Sequence, residues 1–478
     1  MSEKYDVVII GAGIGGLVCG CYLAKAGLRV LIVEQHTKSG GCCTSYERKG
    51  FRFDVGPHYL RSLREGGILS QVLNELELLQ RIKFLTSDPT DRFIMPDRTI
   101  FIRRDKNKTK EELISNFPKE KENISRFFDY VLSMNKNFLQ VIAQTKKITF
   151  EEFLEGFFVN SKLKSILSIP LISIGLPPSR ASAIVALVLY KEFIFDGGYY
   201  PEGGMQVLPD LLSARFKEYG GDIFLSKRVS KIISSCGKIK GIKIRDHEPI
   251  ISAKVVVSNA DATETFQALL DCESRESKIV SSMKPSISAF IIHLGLKSNL
   301  KITPRHFLTG FFSTYDINKC YRDTNILRIR KFKYIFCMFP SLIDQSLVPA
   351  NKSIIKIFIG ADFINKDIWK NSRPNLYKKI IEEVGNVLPI EMEKNIEISE
   401  ISAPPSFNRF TSNRNGAMFG WEATPLQIDK NLFPPETSIE NLYLTGHWVT
   451  KGIGQSSVSL VAFCGKSTAK LVLRKIKQ

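Results

Sequence analysis

The sequence lacks the features by which membrane-spanning and secreted proteins are recognised. Among its 478 residues, no stretch of about 18 residues is free of charges and helix breakers, and a spanning helix needs at least that length. The start, Met-Ser-Glu-Lys-Tyr-Asp, places no positive region before an apolar segment, and the short apolar run that follows ends in glycines. We therefore expect neither a spanning helix nor a signal peptide, and we interpret the apolar run as a buried first strand.

Metal-binding and disulfide patterns are also missing. The nine cysteines form no Cys-x-x-Cys pair, and the six histidines do not cluster with them. These observations predict no metal site and favour a reducing cytosol over a disulfide framework. Cys42 and Cys43 are adjacent, but a disulfide between neighbours closes a strained ring, so we expect free thiols. The sequence shows no Ser-His-Asp order of a catalytic triad and no carboxylate pair suited to acid–base catalysis. This favours an enzyme whose chemistry is carried out by a cofactor.

Acidic residues are few relative to basic ones. Lys plus Arg total 67 against 48 for Asp plus Glu, which gives a formal charge of +19. The basic residues are not combined with stacking aromatics in a recognisable module, so we do not expect nucleic acid as a partner. An anionic membrane surface is the better partner, because each basic group near such a surface contributes roughly 1 kcal/mol. We expect a cytoplasmic protein that lies, when membrane-bound, at the inner face of a membrane.

What the sequence does contain begins with a nucleotide-binding pattern. Residues 5–10 read as a buried parallel strand, and GAGIGG then places Gly11, Gly13 and Gly16 in a G-x-G-x-x-G spacing. A helical segment follows, and the next strand, RVLIVE, ends in Glu34. Gly11 suits the tight turn, Gly13 the close approach of a pyrophosphate, and Gly16 the packing of helix on sheet. Glu34 is placed to accept hydrogen bonds from a ribose.

The same pattern limits the kind and number of nucleotide sites. N–H groups at the helix N-terminus, at Ile14 and Gly15, are expected to bind phosphates, and Gln35 follows the ribose ligand. An acid at the end of the second strand disfavours a 2′-phosphate, so these residues leave NAD and FAD open. Because no second unit of this type occurs after Glu34, we predict one dinucleotide site and no bound NAD(P)H partner.

Three further segments carry a resemblance to a known family. SGGCCTSYERKGFRFDVGPHYL contains Gly40, Gly41 and a Phe-Asp-Val-Gly-Pro stretch. PEGGMQVLPDLLSARFKEYGG, a strand, a hairpin and VVSNA then follow in the family's order, and LTGHWVTKGIG precedes a final helix. Through these segments the chain resembles the bacterial-type phytoene desaturase family of FAD-dependent oxidoreductases, which includes carotenoid desaturases, isomerases, ketolases and retinol saturase. That family belongs to the flavoprotein superfamily of the amine oxidases.

The resemblance implies an α/β fold of two domains, as in the amine oxidases. A Rossmann-like FAD-binding domain of the FAD/NAD(P)-binding superfamily is expected to be discontinuous and to comprise residues 1–90, 196–270 and 405–478. Residues 91–195 and 271–404 are expected to form an inserted α+β domain that binds the substrate and faces the membrane.

The two insertions indicate where an apolar substrate binds. Helices between residues 163 and 195 are markedly apolar and are broken by Pro170, Pro177 and Pro178, so they do not form one membrane span. They are buried core, a wall for a long apolar substrate, or a surface that dips into a bilayer. The runs SISAFIIHLGL, YIFCMF and SIIKIFIGAD alternate in a way that predicts an antiparallel sheet over the cofactor.

The resemblance also implies which residues hold FAD. The family's valine, whose backbone meets the adenine, corresponds to Val229. The C-terminal glycine loop and helix approach the flavin, where the positive end of the helix dipole favours the reduced ring. Cys42 replaces a frequent arginine of the family, and His447 replaces an aspartate. The predicted cofactor set is Gly11, Gly13, Ile14, Gly15, Gly16, Glu34, Gln35, Gly40, Gly41, Cys42, Gly56, Pro57, Val229, Gly446, His447, Gly454, Gln455, Ser456 and Val458.

Two histidines are the candidate catalytic residues. His58 follows Gly-Pro at the position expected over the flavin face, and His447 lies in the C-terminal loop. Each is a proton donor if it lies within hydrogen-bond reach of a substrate atom, and a neutral spacer otherwise. Trp421 and Trp448 either line a polyene channel or pack in the core.

The function implied by the resemblance is phytoene desaturase-like exchange of hydride between flavin N5 and a carotenoid or other isoprenoid polyene. Electrons are then expected to pass to oxygen or a membrane quinone. Three alternatives stay open: a reduced-flavin carotenoid isomerase or retinol-saturase-like enzyme, an amine or porphyrinogen oxidase, and a non-catalytic prenyl-lipid carrier of the same fold. The intact glycine pattern and Glu34 disfavour the carrier.

Overall fold

Helices and strands alternate along the first and last parts of the chain. A computed structural model describes residues 4–246, 249–322, 326–328, 331–388, 391–429, 433–449 and 457–477. The strands are β1 (Lys4–Ile10), β2 (Val30–Val33), β3 (Ser45–Arg48), β4 (Phe51–Asp54), β5 (Phe84–Leu85), β6 (Asp91–Ile94), β7 (Thr99–Ile102), β8 (Tyr200–Pro201), β9 (Asp222–Phe224), β10 (Val229–Ser235), β11 (Lys238–Ile244), β12 (Ile251–Ser258), β13 (Ser288–Leu296), β14 (Leu308–Phe312), β15 (Tyr334–Met338), β16 (Ser353–Ala361), β17 (Ile396–Ser402) and β18 (Leu442–Leu444). The helices are α1 (Ile14–Lys25), α2 (Ile68–Glu75), α3 (Lys106–Asn116), α4 (Lys121–Thr145), α5 (Phe150–Glu155), α6 (Ser161–Ser168), α7 (Ala183–Leu189), α8 (Val207–Glu218), α9 (Arg275–Ser282), α10 (Ile317–Arg322), α11 (Pro340–Ile343), α12 (Lys366–Val387), α13 (Met392–Asn395), α14 (Pro404–Thr411), α15 (Pro425–Asp429) and α16 (Val458–Lys477).

The first sheet has the strand order β10-β11-β12-β1-β2-β9, and β18 pairs with β12. β1 runs parallel to β12 and β2, while the hairpin β10–β11 joins β12 antiparallel. Val7 and Ile9 pack into one core, with residues of α1, α8 and α16. Val8 and Ile10 pack into a second core. Because both faces of β1 are covered there, its last four residues, Val7 to Ile10, are all apolar and buried, as is usual in parallel sheets.

The second sheet has the order β17-β13-β16-β15-β14-β6-β7. Its neighbours are antiparallel except β14 and β6, which are parallel. The predicted sheet is therefore present, with one parallel pair. Every residue of β13 and of β15 is buried, so the alternation in the sequence does not correspond to one exposed face. One face of this sheet borders a cavity, and the other is covered by α12, whose Trp369 stacks on Phe290 with ring centroids 5.9 Å apart.

The apolar helices between the sheets are largely buried. Pro170 lies in a short 3₁₀ turn, Ile169–Ser173, after α6, and Pro177 and Pro178 precede α7, so the prolines break the segment as predicted. All residues of α7 are buried, and a π-helical turn, Tyr190–Ile194, follows it. In the described ranges, no helix combines the length and the apolar character needed to cross a bilayer.

The strands of each sheet come from separate parts of the chain. The first sheet uses strands within residues 4–33, 222–258 and 442–444, and the second uses strands within 91–102 and 288–402. The discontinuous domain boundaries proposed from the sequence place each of these strands in one domain. The boundaries themselves stay a prediction.

Candidate functional site

Both sheets border one large cavity of about 880 Å³. Ile10 and Val33, the last residues of β1 and β2, border it, so the carboxyl ends of the parallel strands open into it. In open α/β sheets, ligands bind at this edge. From there the cavity extends to Leu308 on β14 and Phe358 on β16.

The glycine loop between β1 and α1 forms a cradle that has no room for side chains. Gly11 has a φ of +94°, a conformation that L side chains rarely adopt. A Cβ on Gly13 would lie 2.8 Å from Asn259 Nδ2, and a Cβ on Gly15 would lie 2.7 Å from Asn259 Oδ1. A Cβ on Gly16 would lie 2.2 Å from the carbonyl oxygen of Gly11. Gly16 therefore serves the close packing of helix on strand, whereas Gly11, Gly13, Ile14 and Gly15 border the cavity.

The acid at the end of β2 is fixed beside this cradle. Glu34 is buried, and its carboxylate accepts hydrogen bonds from the N–H groups of Ala12 at 2.7 Å and His36 at 2.9 Å. A carboxylate has about four acceptor positions, so two protein bonds leave capacity for a ribose hydroxyl. Gln35 and Val229, the first residue of β10, border the same part of the cavity.

A segment distant in sequence covers this end of the cavity. The side-chain N–H groups of Gln35 and His36 approach the carbonyl oxygen of Phe410 in α14, at 3.2 Å for Gln35. The rings of His36 and Phe410 also lie against each other, with centroids 5.9 Å apart. The region after the second sheet thus closes over the edge of the first.

The second glycine pair brings two loops together. Gly40 and Gly41 have φ values of +128° and +58°, and a Cβ on Gly41 would lie 3.3 Å from Gly13 Cα. A Cβ on Gly56 would lie 2.4 Å from the carbonyl oxygen of Cys42. Burial raises the pKa of the Cys42 thiol to about 11, so the thiol is neutral at physiological pH. These residues, together with Pro57, border the cavity.

His58 lies where the two halves of the cavity meet. Its imidazole stacks on Phe358 with ring centroids 4.1 Å apart, and its buried Nδ1 has no hydrogen-bond partner among the described residues. Burial holds the pKa of His58 well below its usual range, and the nearby charges of Lys356 and Arg61 lower it further. His58 is therefore a neutral ring that presents a polar atom beside an aromatic wall.

His447 also borders the cavity, next to Gly446. Burial lowers the pKa of His447 to about 4, so this ring is neutral as well. Its Nε2 lies 3.4 Å from Asn413 Nδ2, a contact that orients the ring. A Cβ on Gly420 would lie 2.2 Å from the His447 carbonyl oxygen, so the loop is closely packed.

Only some of the predicted cofactor residues near the C-terminus lie in the part of the chain that the structure describes. Gly446 has a φ of +90°, and its Cα would lie 2.9 Å from a Cβ on Gly15, so it completes the cradle. Val458 begins α16 and borders the cavity. Gly454, Gln455 and Ser456 lie outside the described residues.

The two tryptophans do not line a channel. Trp421 and Trp448 are both buried and form an edge-to-face pair with ring centroids 4.7 Å apart. Trp448 Nε1 donates to Asn413 Oδ1 at 3.3 Å, and Trp421 Nε1 donates to the carbonyl oxygen of Trp448 at 3.1 Å. Packing around the His447 loop is their role, because the core beneath that loop needs large apolar groups with satisfied N–H donors.

Two residues of the site were not predicted from the sequence. Asn259, the fourth residue of VVSNA, lies among Gly11, Gly13 and Gly15 and donates to the Gly11 carbonyl oxygen at 3.3 Å. Lys356 is a fully buried cation in the middle of β16, and its ammonium donates to the carbonyl oxygens of Gly56 at 2.7 Å and Val55 at 3.2 Å. The available signal was the charge itself, a lysine within the apolar run SIIKIFIGAD.

The half of the cavity away from the glycines is apolar. Phe336 and Phe358 stack on the second sheet with ring centroids 5.2 Å apart, and His58 extends this row. Helices of the insertion supply the facing wall. The apolar residues that border this half include Ile172, Leu189, Ile287, Ala289, Ile291, Leu308, Met418 and Phe419.

Comparison with known sequences gives relatives over nearly the whole chain. A family model described as an NAD(P)-binding Rossmann-like domain matches residues 9–76. The chain is 26% identical to prolycopene isomerase 1, chloroplastic, of an Oncidium hybrid cultivar over 98% of this chain and 84% of the relative. It is 28% identical to all-trans-retinol 13,14-reductase of Homo sapiens over 93% of this chain and 82% of the relative. For 4,4'-diapophytoene desaturase (4,4'-diapolycopene-forming) of Methylomonas sp, the values are 24%, 99% and 96%.

Solved structures share the fold. An oxidoreductase from Methanosarcina mazei superposes with a TM-score of 0.69 at 18% identity and covers 97% of this chain and 100% of its own. Wild-type putrescine oxidase bound to putrescine gives a TM-score of 0.69 at 15% identity, with 99% and 100% coverage. The predicted Rossmann-like fold with an amine-oxidase-like arrangement is confirmed.

Proposed function

We propose a function for this chain from the premise that it belongs, like the three relatives named above, to the phytoene desaturase-like family of oxidoreductases. The predicted family and the prediction of an enzyme are confirmed at that level. The finer proposal is that the chain binds FAD and exchanges hydride with an apolar isoprenoid or polyene. The observation that carries it is the joining of a glycine cradle and an apolar half in one cavity.

The residues of the cradle fit a flavin dinucleotide. The loop at Gly11, Gly13 and Gly15 presents bare backbone to a pyrophosphate, because side chains are sterically excluded there. Glu34 would accept from the adenosine ribose, and the backbone at Val229 would meet the adenine. When bound, FAD supplies a hydride acceptor or donor at its N5 atom. Gln35 would lie with Glu34 and Val229 at the adenosine end. The other predicted residues, Gly40, Gly41, Cys42, Gly56, Pro57, Gly446, His447 and Val458, would surround the ribityl chain and the ring.

The apolar half would bind the substrate and exclude water. The side chains of Leu189, Ile287 and Leu308 are apolar, as lipid chains are. A polyene therefore keeps an apolar environment when it moves from lipid to this wall. The stacked rings of His58 and Phe358, which border the cavity, suit the flat face of a conjugated chain.

The two histidines are proposed to handle the proton that accompanies hydride transfer. Desaturation removes a hydride from one carbon and a proton from the next. His58 is the better candidate, because its Nδ1 has no partner among the described residues, whereas His447 is in contact with Asn413. A ring of such low basicity holds a proton only briefly and then passes it on.

The same proposal includes the surroundings of the enzyme. We propose a cytoplasmic protein that lies peripherally on an anionic membrane, because its formal charge is +19 and its substrate is apolar. Oxygen or a membrane quinone would accept the electrons.

Purified protein with added FAD tests the cofactor, and mass spectrometry of apolar extracts tests the reaction. We expect a yellow protein, and extracts of cells with the protein should contain an isoprenoid that differs by two hydrogens per step from that of control cells. An unchanged mass with a changed double-bond geometry would favour the second candidate, a reduced-flavin isomerase, to which the likeness to prolycopene isomerase points. A gain of two hydrogens would indicate a saturase instead, and turnover of amines with no polyene binding an amine oxidase. Protein that never binds flavin would contradict all of these enzymes and favour a lipid carrier.

A further inference from the structure

Lys356 presents an unusual electrostatic arrangement beneath the cavity wall. The side chain is 1% exposed, and its ammonium is held by the carbonyl oxygens of Gly56 and Val55. Among the described residues, no carboxylate forms an ion pair with it. An isolated buried cation is costly because it leaves water without a compensating charge.

The groups around Lys356 do not neutralise it. His293 lies directly opposite on β13, and burial together with Lys356 lowers the pKa of His293 to about 3. His58 is held neutral in the same way. Asp54 is near enough to stabilise the cation, but its oxygens accept from Ser45, Met205 and Tyr200. Asp54 therefore offsets the positive charge only from a distance, and the ammonium itself donates to the wall at Gly56 and Val55.

Cys42 lies against the same wall, since its carbonyl oxygen contacts Gly56 and Lys356 affects its thiol. Cys42 and Lys356 therefore approach the same wall from two distant segments of the chain, and the Cys42 thiol itself carries no charge.

We propose that Lys356 is a positioning residue that supplies positive charge to the flavin site from β16, through the wall at Gly56. Its charge would favour the negative charge that a flavin gains on accepting a hydride, and its hydrogen bonds would hold the Gly56 wall in place. This inference rests on the proposed binding of FAD.

The test compares the FAD-loaded wild type with Lys356→Met, which keeps the length of the side chain and removes the charge. Sulfite is a suitable probe, because its addition to a flavin places negative charge on the ring. We expect sulfite to bind on the order of tenfold more weakly to Lys356→Met, equivalent to about 1.4 kcal/mol, and the flavin reduction potential to become more negative. The matched control is Lys352→Met, since Lys352 pairs with Glu397 near the start of the same strand.

A second variant separates charge from hydrogen bonding. Adding Cys42→Arg to Lys356→Met should restore sulfite affinity and potential, and Lys356→Gln, which donates a hydrogen bond without charge, should behave like Lys356→Met. Wild-type values in either uncharged variant would overturn the inference. If Lys356→Met does not retain flavin, Lys356→Gln decides the question alone. Wild-type protein without flavin would instead contradict the proposed function.

Discussion

Gly15 and Asn259 are in contact across 244 positions of sequence, as the difference 259 − 15 gives: a Cβ on Gly15 would lie 2.7 Å from Asn259 Oδ1. The amide of Asn259 therefore lies directly behind the glycine loop, and Gly446 approaches the loop beside it. Any side chain added to the loop has to displace one of these two neighbours or enter the space proposed for a pyrophosphate.

Gly13→Val is expected to fold and to lose FAD. The new side chain would meet Asn259 Nδ2 at 2.8 Å or project into the phosphate site. We expect affinity for FAD to fall by about tenfold or more, equivalent to at least 1.4 kcal/mol. Flavin fluorescence titration of the unloaded protein measures it. Gly385→Ala in α12 is the matched control, because its Cβ has room and alanine favours a helix; normal FAD affinity in Gly13→Val would refute the role of the loop.

Arg64→Met is expected to destabilise the fold strongly. Arg64 pairs with Glu192 at 2.9 Å and Asp196 at 3.4 Å, and both carboxylates are almost fully buried. Without the guanidinium, Asp196 loses this ion pair, whereas Glu192 keeps Lys191 at 3.3 Å. We therefore expect a cost of about 3 kcal/mol, the lower end of the range for a broken buried pair. Urea unfolding of the unloaded protein gives the free energy of unfolding. Arg81→Met, which breaks an exposed pair with Glu218, should change it by less than about 1 kcal/mol, and equal effects of the two variants would contradict the expectation.

Acid is expected to destabilise the protein through its buried histidines. The pKa of His447 is lowered from 6.5 to about 4 by burial. Between these values the unfolded chain binds a proton that the folded chain does not, so the stabilisation is complete above pH 6.5 and is lost as the pH falls toward 4. The loss for this residue is at most about 3 kcal/mol.

The measurement is the urea midpoint of the unloaded protein at several pH values. His447→Gln should show a shallower decline over this window, since the substituted side chain does not titrate. His36, on the partly exposed edge, offers the control His36→Gln. An unchanged slope in His447→Gln would show that the ring is not held neutral.

Binding to membranes is expected to depend on lipid charge and on salt. Vesicles that contain anionic lipid should sediment the protein, and neutral vesicles should not, because the formal charge is +19. Raising the ionic strength from 0.15 M to 1 M shortens the screening length from about 8 Å to about 3 Å, so most of the bound protein should be released. Binding that is insensitive to both variables would indicate apolar insertion instead.

The sequence predicted the elements whose chemistry is local. Gly11, Gly13 and Gly16 could be assigned from spacing, because a strand, a turn and a helix within one short segment determine what each glycine does. The strands of the second sheet could be located, but not their burial, because alternation in a sequence depends on one face meeting water, and here α12 covers that face.

Contacts between distant segments explain why the roles of some residues could not be predicted from the sequence. Lys356 was one of many lysines in the sequence, and only the pairing of β16 with β13 places it beneath Gly56. Trp448 was ambiguous for the same reason, since its core position depends on Asn413 and Trp421. The cofactor and catalytic assignments stay predictions, and Gly13→Val addresses the cofactor.

The contact of the first and last helices has a consequence for biosynthesis. A Cβ on Gly465 of α16 would lie 2.5 Å from the carbonyl oxygen of Gly15, and Gly446 completes the cradle beside it. The first βαβ unit leaves the ribosome early, yet its nucleotide cradle lacks a wall until α16 has been translated, and synthesis proceeds at about 5–20 residues per second. Under the proposed function, the complete FAD site therefore forms only after α16 has been translated, so we expect FAD to bind the fully translated chain.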